Sequence, residues 1–239
     1  MPSTDSGERI YAIGDVHGCL TLLHRLLDLI GSHTRALPPV RSLYVIVIGD
    51  VIDRGPHSAE VLRLLYDLSR ENPNLVVLLG NHEAALLQVM TGDVDALRQW
   101  VAVGGAQTLR SLGVSPRRSG EHSRDYLSRV RAAIPPAWLS WLGKCPLSVR
   151  SGDYLFVHAG VRPGVALDRQ AREDLLWIRE DFLDDRRDHG AVIVHGHSIS
   201  DEVEIRANRI GIDTGAYKSG RLSAIYLEGS VQQIITASA

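Results

Sequence analysis

The sequence has few of the residues that mark secreted or membrane-spanning chains. Its 239 residues include only 2 cysteines, Cys19 and Cys145, which have no metal-type spacing. So few thiols exclude a disulfide-stabilised scaffold and fit a reducing compartment. No apolar run approaches the ~18 residues of a membrane-spanning helix, and residues 1–8 contain no apolar signal-peptide core. We therefore expect a cytoplasmic protein.

An excess of charge of either sign is also absent. The chain has 26 Lys and Arg residues against 28 Asp and Glu residues, for a formal net charge of −2. This balance provides no general attraction to nucleic acid or to an anionic membrane, so we expect neither partner. Any affinity for an anion must come from a local group of residues. The composition does not indicate an oligomeric state.

The order of apolar segments predicts an α/β protein. Strand-like runs at 10–13, 43–48 and 75–79 alternate with helical leucine patterns, which predicts βαβ units with parallel strands. The first of these helices is expected to end at Gly31. The length suits a single domain over 1–239, and no linker divides it.

The strand pattern stops at about 91–146, where helical segments are separated by glycine and proline breaks. We interpret this stretch as a helical insertion over the mouth of the site. Later runs predict two hairpins, 204–212 and 222–235, which suggest a second, mixed sheet packed on the first.

Each of five apolar strands is followed immediately by residues that can bind a metal. The ends of strands are where α/β proteins place their sites. Asp, Asn and His without cysteine suit first-row divalent metals, and six candidate ligands fit two metals that share a carboxylate. The five blocks are Gly14-Asp15-Val16-His17-Gly18, Gly49-Asp50-Val51-Ile52-Asp53-Arg54-Gly55, Gly80-Asn81-His82-Glu83, His158-Ala159-Gly160 and His195-Gly196-His197.

In this order the blocks resemble the signature of the calcineurin-like metallophosphoesterases. They are most similar to the bacterial and phage branch of the phosphoprotein phosphatases, which holds lambda-type protein phosphatases and symmetrical diadenosine tetraphosphatases. The resemblance runs from about Ile10 to Ala216. It implies a four-layer α/β/β/α sandwich with two mixed sheets.

The resemblance also implies the metal ligands. One ion would be held by Asp15 and His17, the other by Asn81, His158 and His197, with Asp50 bridging the two. Manganese is the expected metal, with iron or zinc as alternatives, because all three accept oxygen and imidazole ligands.

Four further residues receive catalytic roles from the same match. His82 would protonate the leaving oxygen, and Asp53 would orient its ring. Arg54 and Arg179 would bind the phosphoryl oxygens, since two planar guanidinium groups can neutralise the charge of the transition state.

Some nearby residues remain open or depart from the family pattern. His195 is either structural or a supporting residue of the site, and Asp213 is either a hydrogen-bond acceptor or a turn residue. His57 stands where relatives often carry an acid, and Ser198-Ile199 replaces a frequent Thr-Pro. These departures remove no ligand, but they lie near the site and weaken any inference of this chain's substrate from the substrates of the family.

The implied activity is phosphoester hydrolysis by direct attack of a hydroxide that bridges two metals. We expect phosphoserine or phosphothreonine proteins as substrates, because the chain is short and resembles lambda-type enzymes. The alternative is symmetrical hydrolysis of diadenosine tetraphosphate to two ADP. A purine-stacking residue in the insertion would favour it, with Trp100, Tyr126, Trp138 and Trp141 as candidates. A catalytically silent phospho-ligand binding module is a second alternative, although no catalytic residue is missing.

Overall fold

Two five-stranded sheets, each with helices on its outer face, make up the computed structural model, which describes residues 1–239. The strands are β1 (Glu8–Ile13), β2 (Ser42–Val47), β3 (Leu75–Val77), β4 (Ser148–Ser151), β5 (Tyr154–Val157), β6 (Val192–His195), β7 (Glu204–Ile205), β8 (Arg209–Gly211), β9 (Arg221–Glu228) and β10 (Val231–Ser238). The α-helices are α1 (Leu20–Arg35), α2 (Ser58–Glu71), α3 (Asn81–Met90), α4 (Val94–Trp100), α5 (Ala106–Ser111), α6 (Ser123–Ala133), α7 (Pro136–Leu142), α8 (Arg172–Trp177), α9 (Glu180–Leu183) and α10 (Ala216–Ser219). None of these helices is both long and apolar enough to cross a membrane.

Both sheets are mixed, as the resemblance implied. The first has the order β10-β9-β1-β2-β3, with β1, β2 and β3 parallel and with β9 and β10 antiparallel. The second has the order β4-β5-β6-β8-β7, with β5, β6 and β8 parallel and an antiparallel strand at each edge. The carboxyl ends of each set of parallel strands therefore meet at one edge of their sheet.

Alternate residues of the strands face different cores. On β1, Tyr11 and Ile13 pack with α1 and α2, whereas Ile10 and Ala12 lie between the two sheets. On β5, Phe156 joins the core between the sheets, and its neighbours on the other face pack with α8 and α9. Since side chains alternate with a period of two, apolar residues on both faces require cover on both sides. The predicted four layers are confirmed.

The two predicted hairpins form, but they lie in different sheets. The β7–β8 hairpin belongs to the second sheet, whereas β9 pairs antiparallel with β1 in the first sheet. The expectation that both hairpins build the second sheet was therefore wrong. Strand β9 buries Ala224 and Tyr226 toward the helices and Ile225 and Leu227 toward the other sheet. Both faces of β9 are covered because the strand lies beside β1 in the interior of the first sheet.

The first helix also differs from the sequence-based expectation, because α1 continues past Gly31 to Arg35. An internal glycine costs a helix only ~1 kcal/mol relative to alanine. Burial of Leu23, Leu26 and Ile30 against the sheet offsets that cost.

The predicted insertion is helical and contains α4 to α7. Its helices contact α2 and α3, and its residues Trp100 and Thr108 reach Asp53, which follows β2. Between α4 and α5 the chain forms a π-helical turn, Val101–Gly105, that is kinked at Gly104 with a φ of 134°. A side chain at Gly104 would approach Cγ of Arg54 to 2.9 Å, so only glycine fits there.

Candidate metal centre

The predicted site residues converge where the parallel strands of both sheets end. Asp15 and His17 follow β1, the segment 50–54 follows β2, and Asn81 and His82 begin α3 after β3. From the second sheet, His158 follows β5 and His197 follows β6. Nearly all of these side chains are buried, and charged residues are seldom buried unless they are paired.

Two clusters of metal-ligating atoms share the carboxylate of Asp50. His17, Asp50 and His82 form one cluster, and Asp50, His158 and His197 form the other, with the atoms of each within 4.8 Å of one another. Asn81 joins the second cluster, because its Oδ1 lies 2.8 Å from Nε2 of His158 and 2.9 Å from Nδ1 of His197. The structure thus brings together five of the six predicted ligands, with Asp50 common to both clusters.

Asp15, the sixth predicted ligand, lies at the edge of this arrangement. Its two carboxylate oxygens accept the backbone N–H of His197 at 3.0 and 3.2 Å, so that it links the loops that follow β1 and β6. Burial raises the pKa of Asp15, and repulsion from Asp213 and Asp50 raises it further. A neighbouring cation would relieve both effects.

The protonation of the ligand histidines fits divalent cations. Nδ1 of His17 donates to the carbonyl of Ile52 at 2.7 Å, and Nδ1 of His158 donates to the carbonyl of Ile48 at 2.9 Å. The Nε2 lone pairs of both rings therefore face Asp50: Nε2 of His17 lies 3.6 Å from its Oδ2, and Nε2 of His158 lies 3.5 Å from its Oδ1. A cation stabilises acceptor atoms that face one another in this way. Burial lowers the pKa of His17 to about 4 and that of His197 to about 3, and it lowers the pKa of His158, so these rings are neutral. The donor set therefore suits two divalent metal ions.

His82 differs from the other histidines of the site. Burial alone would lower its pKa, but attraction to Asp50 and the hydrogen bond to Asp53 outweigh this effect and raise it. Its Nδ1 donates to Oδ2 of Asp53 at 2.6 Å, while its Nε2 lies 3.8 Å from Oδ2 of Asp50. Trp100 Nε1 and Thr108 Oγ1 also donate to Asp53, at 2.8 and 2.6 Å. The ring of His82 is therefore held in one orientation with Nε2 toward the clusters.

The two predicted arginines each contact a ligand histidine. Nη1 of Arg54 lies 3.1 Å from Nε2 of His17 and 3.3 Å from the hydroxyl of Tyr217, and its guanidinium stands 5.0 Å from the centre of the Tyr217 ring. Nη1 of Arg179 donates to the carbonyl of His197 at 3.4 Å. Both arginines thus border the clusters, and their binding of phosphoryl oxygens stays a prediction.

Backbone strain is concentrated at this site. A positive φ is uncommon for residues other than glycine and costs about 1–2 kcal/mol. Such strain persists where surrounding contacts hold it, typically at functional sites. All non-glycine residues with a positive φ in this chain are predicted site residues: His17 (43°), Asp50 (47°), Asp53 (72°), Arg54 (65°) and His197 (62°).

A family model for calcineurin-like phosphoesterases matches residues 8–225, most of the chain. The chain belongs to this family. Among curated proteins, it is 35% identical over 154 residues to a symmetrical bis(5'-nucleosyl)-tetraphosphatase of Methylococcus capsulatus, which covers 64% of this chain and 44% of that protein. The chain spans about half the length of the curated relatives it matches.

Solved structures show the same fold at low sequence identity. One crystal structure, provisionally assigned as a diadenosine tetraphosphatase, superposes with a TM-score of 0.65 at 21% identity and covers 98% of both chains. A protein serine/threonine phosphatase of Saccharomyces cerevisiae has a TM-score of 0.58 at 18% identity, covering 100% of this chain and 84% of its own. Two kinds of phosphoesterase therefore share this architecture.

Glu83 lies beside these clusters and has no predicted role in the site. It is fully buried, and its two carboxylate oxygens accept the backbone N–H groups of Asp50, Val51, Ile52 and Gly80 at 2.9–3.1 Å. It thereby ties the loop after β2 to the start of α3. A glutamate three residues after the N-cap of a helix is a known capping signal, and this signal was present in the sequence.

The structure also decides between the readings of His195. Its Nε2 lies 3.4 Å from Nη1 of Arg209, and its ring packs edge-on against Phe182. The ring of His195 faces the core under α8 and α9, so the structural role is favoured. Asp213 accepts the N–H of Gly215 at 2.8 Å, as in a turn, but its Oδ2 is buried without a partner near Asp15.

Proposed function

We propose that the protein is a hydrolase that uses two divalent metal ions to cleave a dinucleoside tetraphosphate. The observation that carries this proposal is the pair of clusters that share Asp50, in which Nε2 of His82 lies 3.8 Å from Oδ2 of that residue. The names of the curated relatives support the dinucleotide as substrate. They favour it over the phosphoprotein that the sequence analysis placed first.

Each ion would be held by its own ligands together with the shared carboxylate of Asp50. The first would be held by Asp15 and His17, and the second by Asn81, His158 and His197. When bound, two such cations would supply Lewis acidity and lower the pKa of a nearby water molecule. Manganese is the metal we would supply first, since the ligands are oxygen and imidazole atoms; iron and zinc fit the same donors.

The side chains around the metals would bind the substrate and move a proton. Arg54 and Arg179 would donate to the phosphoryl oxygens, where the charge of the transition state is spread. His82 would give the proton on Nε2 to the departing phosphate oxygen. Its raised pKa favours the protonated ring, and the bond from Nδ1 to Asp53 keeps the ring aimed at the site.

Dephosphorylation of phosphoserine or phosphothreonine proteins is a second candidate. It is favoured by the similarity in fold to the yeast serine/threonine phosphatase over the whole chain. The same centre could cleave either substrate, because the metals act on the phosphoryl group and neighbouring surfaces select the rest. A silent binding module is disfavoured because every predicted ligand, acid and arginine is present.

The test compares kcat/KM of the Mn²⁺-loaded protein on diadenosine tetraphosphate and on a phosphothreonine peptide. We expect at least a tenfold preference for the dinucleotide, about 1.4 kcal/mol in transition-state binding, with two ADP as product. The variant His82→Ala serves as the control for contaminating enzymes, and it should lose ~10²–10⁴-fold in kcat. A preference for the peptide that also depends on His82 would instead establish the second candidate.

A further inference from the structure

An open groove lies between α3, α8 and the segment 96–103 of the insertion. It has a volume of about 850 Å³, within the range of small-molecule sites. Most of its surface is apolar, and Leu87, Val103 and Trp177 contribute to it. The few polar groups include the amides of Gln88 and Gln99 and one ion of each sign, Arg172 and Glu173.

Two residues that line the groove lie close to the two arginines to which the proposed function gives phosphate binding. Val103 precedes Gly104, whose carbonyl accepts the backbone N–H of Arg54 at 3.2 Å. On the other side, Trp177 lies two residues before Arg179, and its ring centre is 6.3 Å from that of His197. Because residues close to both arginines line the groove, a substrate whose phosphate they bind can extend the rest of its molecule into it.

The indole of Trp177 is unusually exposed for its size. Trp177 is 51% exposed and Val103 54% exposed, whereas Trp100, the other tryptophan in this groove, is 1% exposed and bonded to Asp53. Large apolar groups left open beside a polar site commonly mark a ligand surface. An exposed indole face is the usual platform on which a nucleobase stacks.

The charge of the groove favours an uncharged ring over a charged peptide. The positive charge of Arg172 is balanced by the negative charge of Glu173. The groove therefore offers no net charge to acidic or basic residues that flank a phosphorylated position in a peptide. The amide groups of Gln88 and Gln99 can both donate and accept, as the edge of a purine requires.

We propose that this groove binds one purine base of the substrate, stacked on Trp177. The proposal rests on the proposed function and specifies where that substrate lies. It also replaces the sequence-based candidates for purine stacking. Trp100 supports Asp53, Tyr126 is buried, and Trp138 and Trp141 pack against the helical core.

The kinetic test compares Trp177→Ala with the unaltered protein on diadenosine tetraphosphate and on p-nitrophenyl phosphate, which has no base. We expect KM for the dinucleotide to rise at least tenfold more than KM for p-nitrophenyl phosphate, and Trp177→Phe to restore most of the loss. Ile234→Ala is the matched control, because Ile234 is 43% exposed on β10 and lies outside the groove. Equal changes on both substrates, or none, would overturn the proposal.

A binding test separates this proposal from the proposed function. Calorimetric titration at fixed free Mn²⁺ uses ADP and inorganic pyrophosphate, which lacks the nucleoside. We expect Trp177→Ala to weaken ADP binding at least tenfold more than pyrophosphate binding. Should Trp177→Ala not fold, Val103→Glu places a carboxylate at an exposed position of the same groove, and we expect the same selective loss.

The two tests give distinguishable failures. If the protein cleaves diadenosine tetraphosphate and neither variant affects ADP selectively, the groove proposal is wrong and the function stands. If only the phosphopeptide is cleaved while ADP binding still depends on Trp177, the function is wrong and the groove is a base-binding site. If ADP and pyrophosphate bind the unaltered protein equally, the groove contributes nothing to nucleotide binding and the proposal is overturned.

Discussion

The loops of the first sheet and the segment beside the second sheet differ in how firmly they hold their functional residues. After β2, the strained loop that carries Asp50 and Asp53 is held by Glu83, Trp100 and Thr108 through buried hydrogen bonds. Beside the second sheet, Arg179 is exposed and makes one side-chain hydrogen bond, of 3.4 Å.

This difference suggests a division of labour within the site. Groups that hold metals and move protons need fixed positions, and buried partners supply them. Side chains that bind the substrate can be exposed to solvent in the free protein, since the bound substrate then provides their remaining contacts. The buried loops at the strand ends would thus carry the chemistry, and the region of α8 would contribute to the choice of substrate.

The largest effect is expected for Asp50→Asn. This change removes the charge that both clusters share, so we expect kcat/KM to fall at least ~1,000-fold, or ~4 kcal/mol in transition-state binding. Metal content measured by emission spectroscopy should fall in parallel, with the far-UV circular dichroism spectrum retained. The control is Asp95→Asn on α4, at an exposed carboxylate. Full metal content with normal turnover would contradict the bridging role.

A smaller effect is expected for Glu83→Gln. The amide nitrogen of Gln would face two backbone N–H groups and leave them unpaired, at a cost of ~1–3 kcal/mol each in the free energy of unfolding. Because the loop of Asp50 would then loosen, we expect metal affinity to fall ~10–100-fold. Urea unfolding and Mn²⁺ titration measure both, with Glu202→Gln, an exposed site, as control. Lower stability with unaltered metal affinity would limit Glu83 to a capping role.

A direct contrast between the two regions comes from Arg54→Lys and Arg179→Lys. Lysine cannot form the planar paired contacts of arginine. Arg54 also stacks on Tyr217, so we expect kcat/KM on the proposed substrate to fall ~100-fold for Arg54→Lys and ~10-fold for Arg179→Lys. The reverse order would show that the exposed arginine carries more of the transition-state charge, and the proposed division would be wrong.

The smallest effect is expected for Trp100→Phe, which keeps the ring in the core but removes its hydrogen bond to Asp53. We expect a ~10-fold fall in kcat from poorer orientation of His82, with KM within about twofold. Trp138→Phe, in the same insertion but without a contact to Asp53, is the control. If both variants behave alike, the tryptophan serves only the packing of the insertion.

The sequence predicted much of the site because metal-binding chemistry is carried by local motifs. Buried strands followed by Asp, Asn or His were recognisable in each of five blocks, and the alternation of strand-like runs with helical leucine patterns predicted βαβ units with parallel strands. The sequence did not reveal that β9 joins the first sheet or that α1 passes Gly31, because the outcome there depends on which distant surface offers the larger burial.

What the sequence determined by itself is the set of candidate ligands for metal chemistry, since the type and order of such residues are properties of short segments. The tertiary structure decided which residues support that chemistry: Trp100 and Thr108 reach Asp53 across 47 and 55 positions of the chain, and Glu83 holds a loop more than 30 positions before it. It also turned His195 away from the site and left Trp177 exposed beside it. Such contacts join segments that are remote in sequence, and only the packing of the two sheets and their helices brings them together.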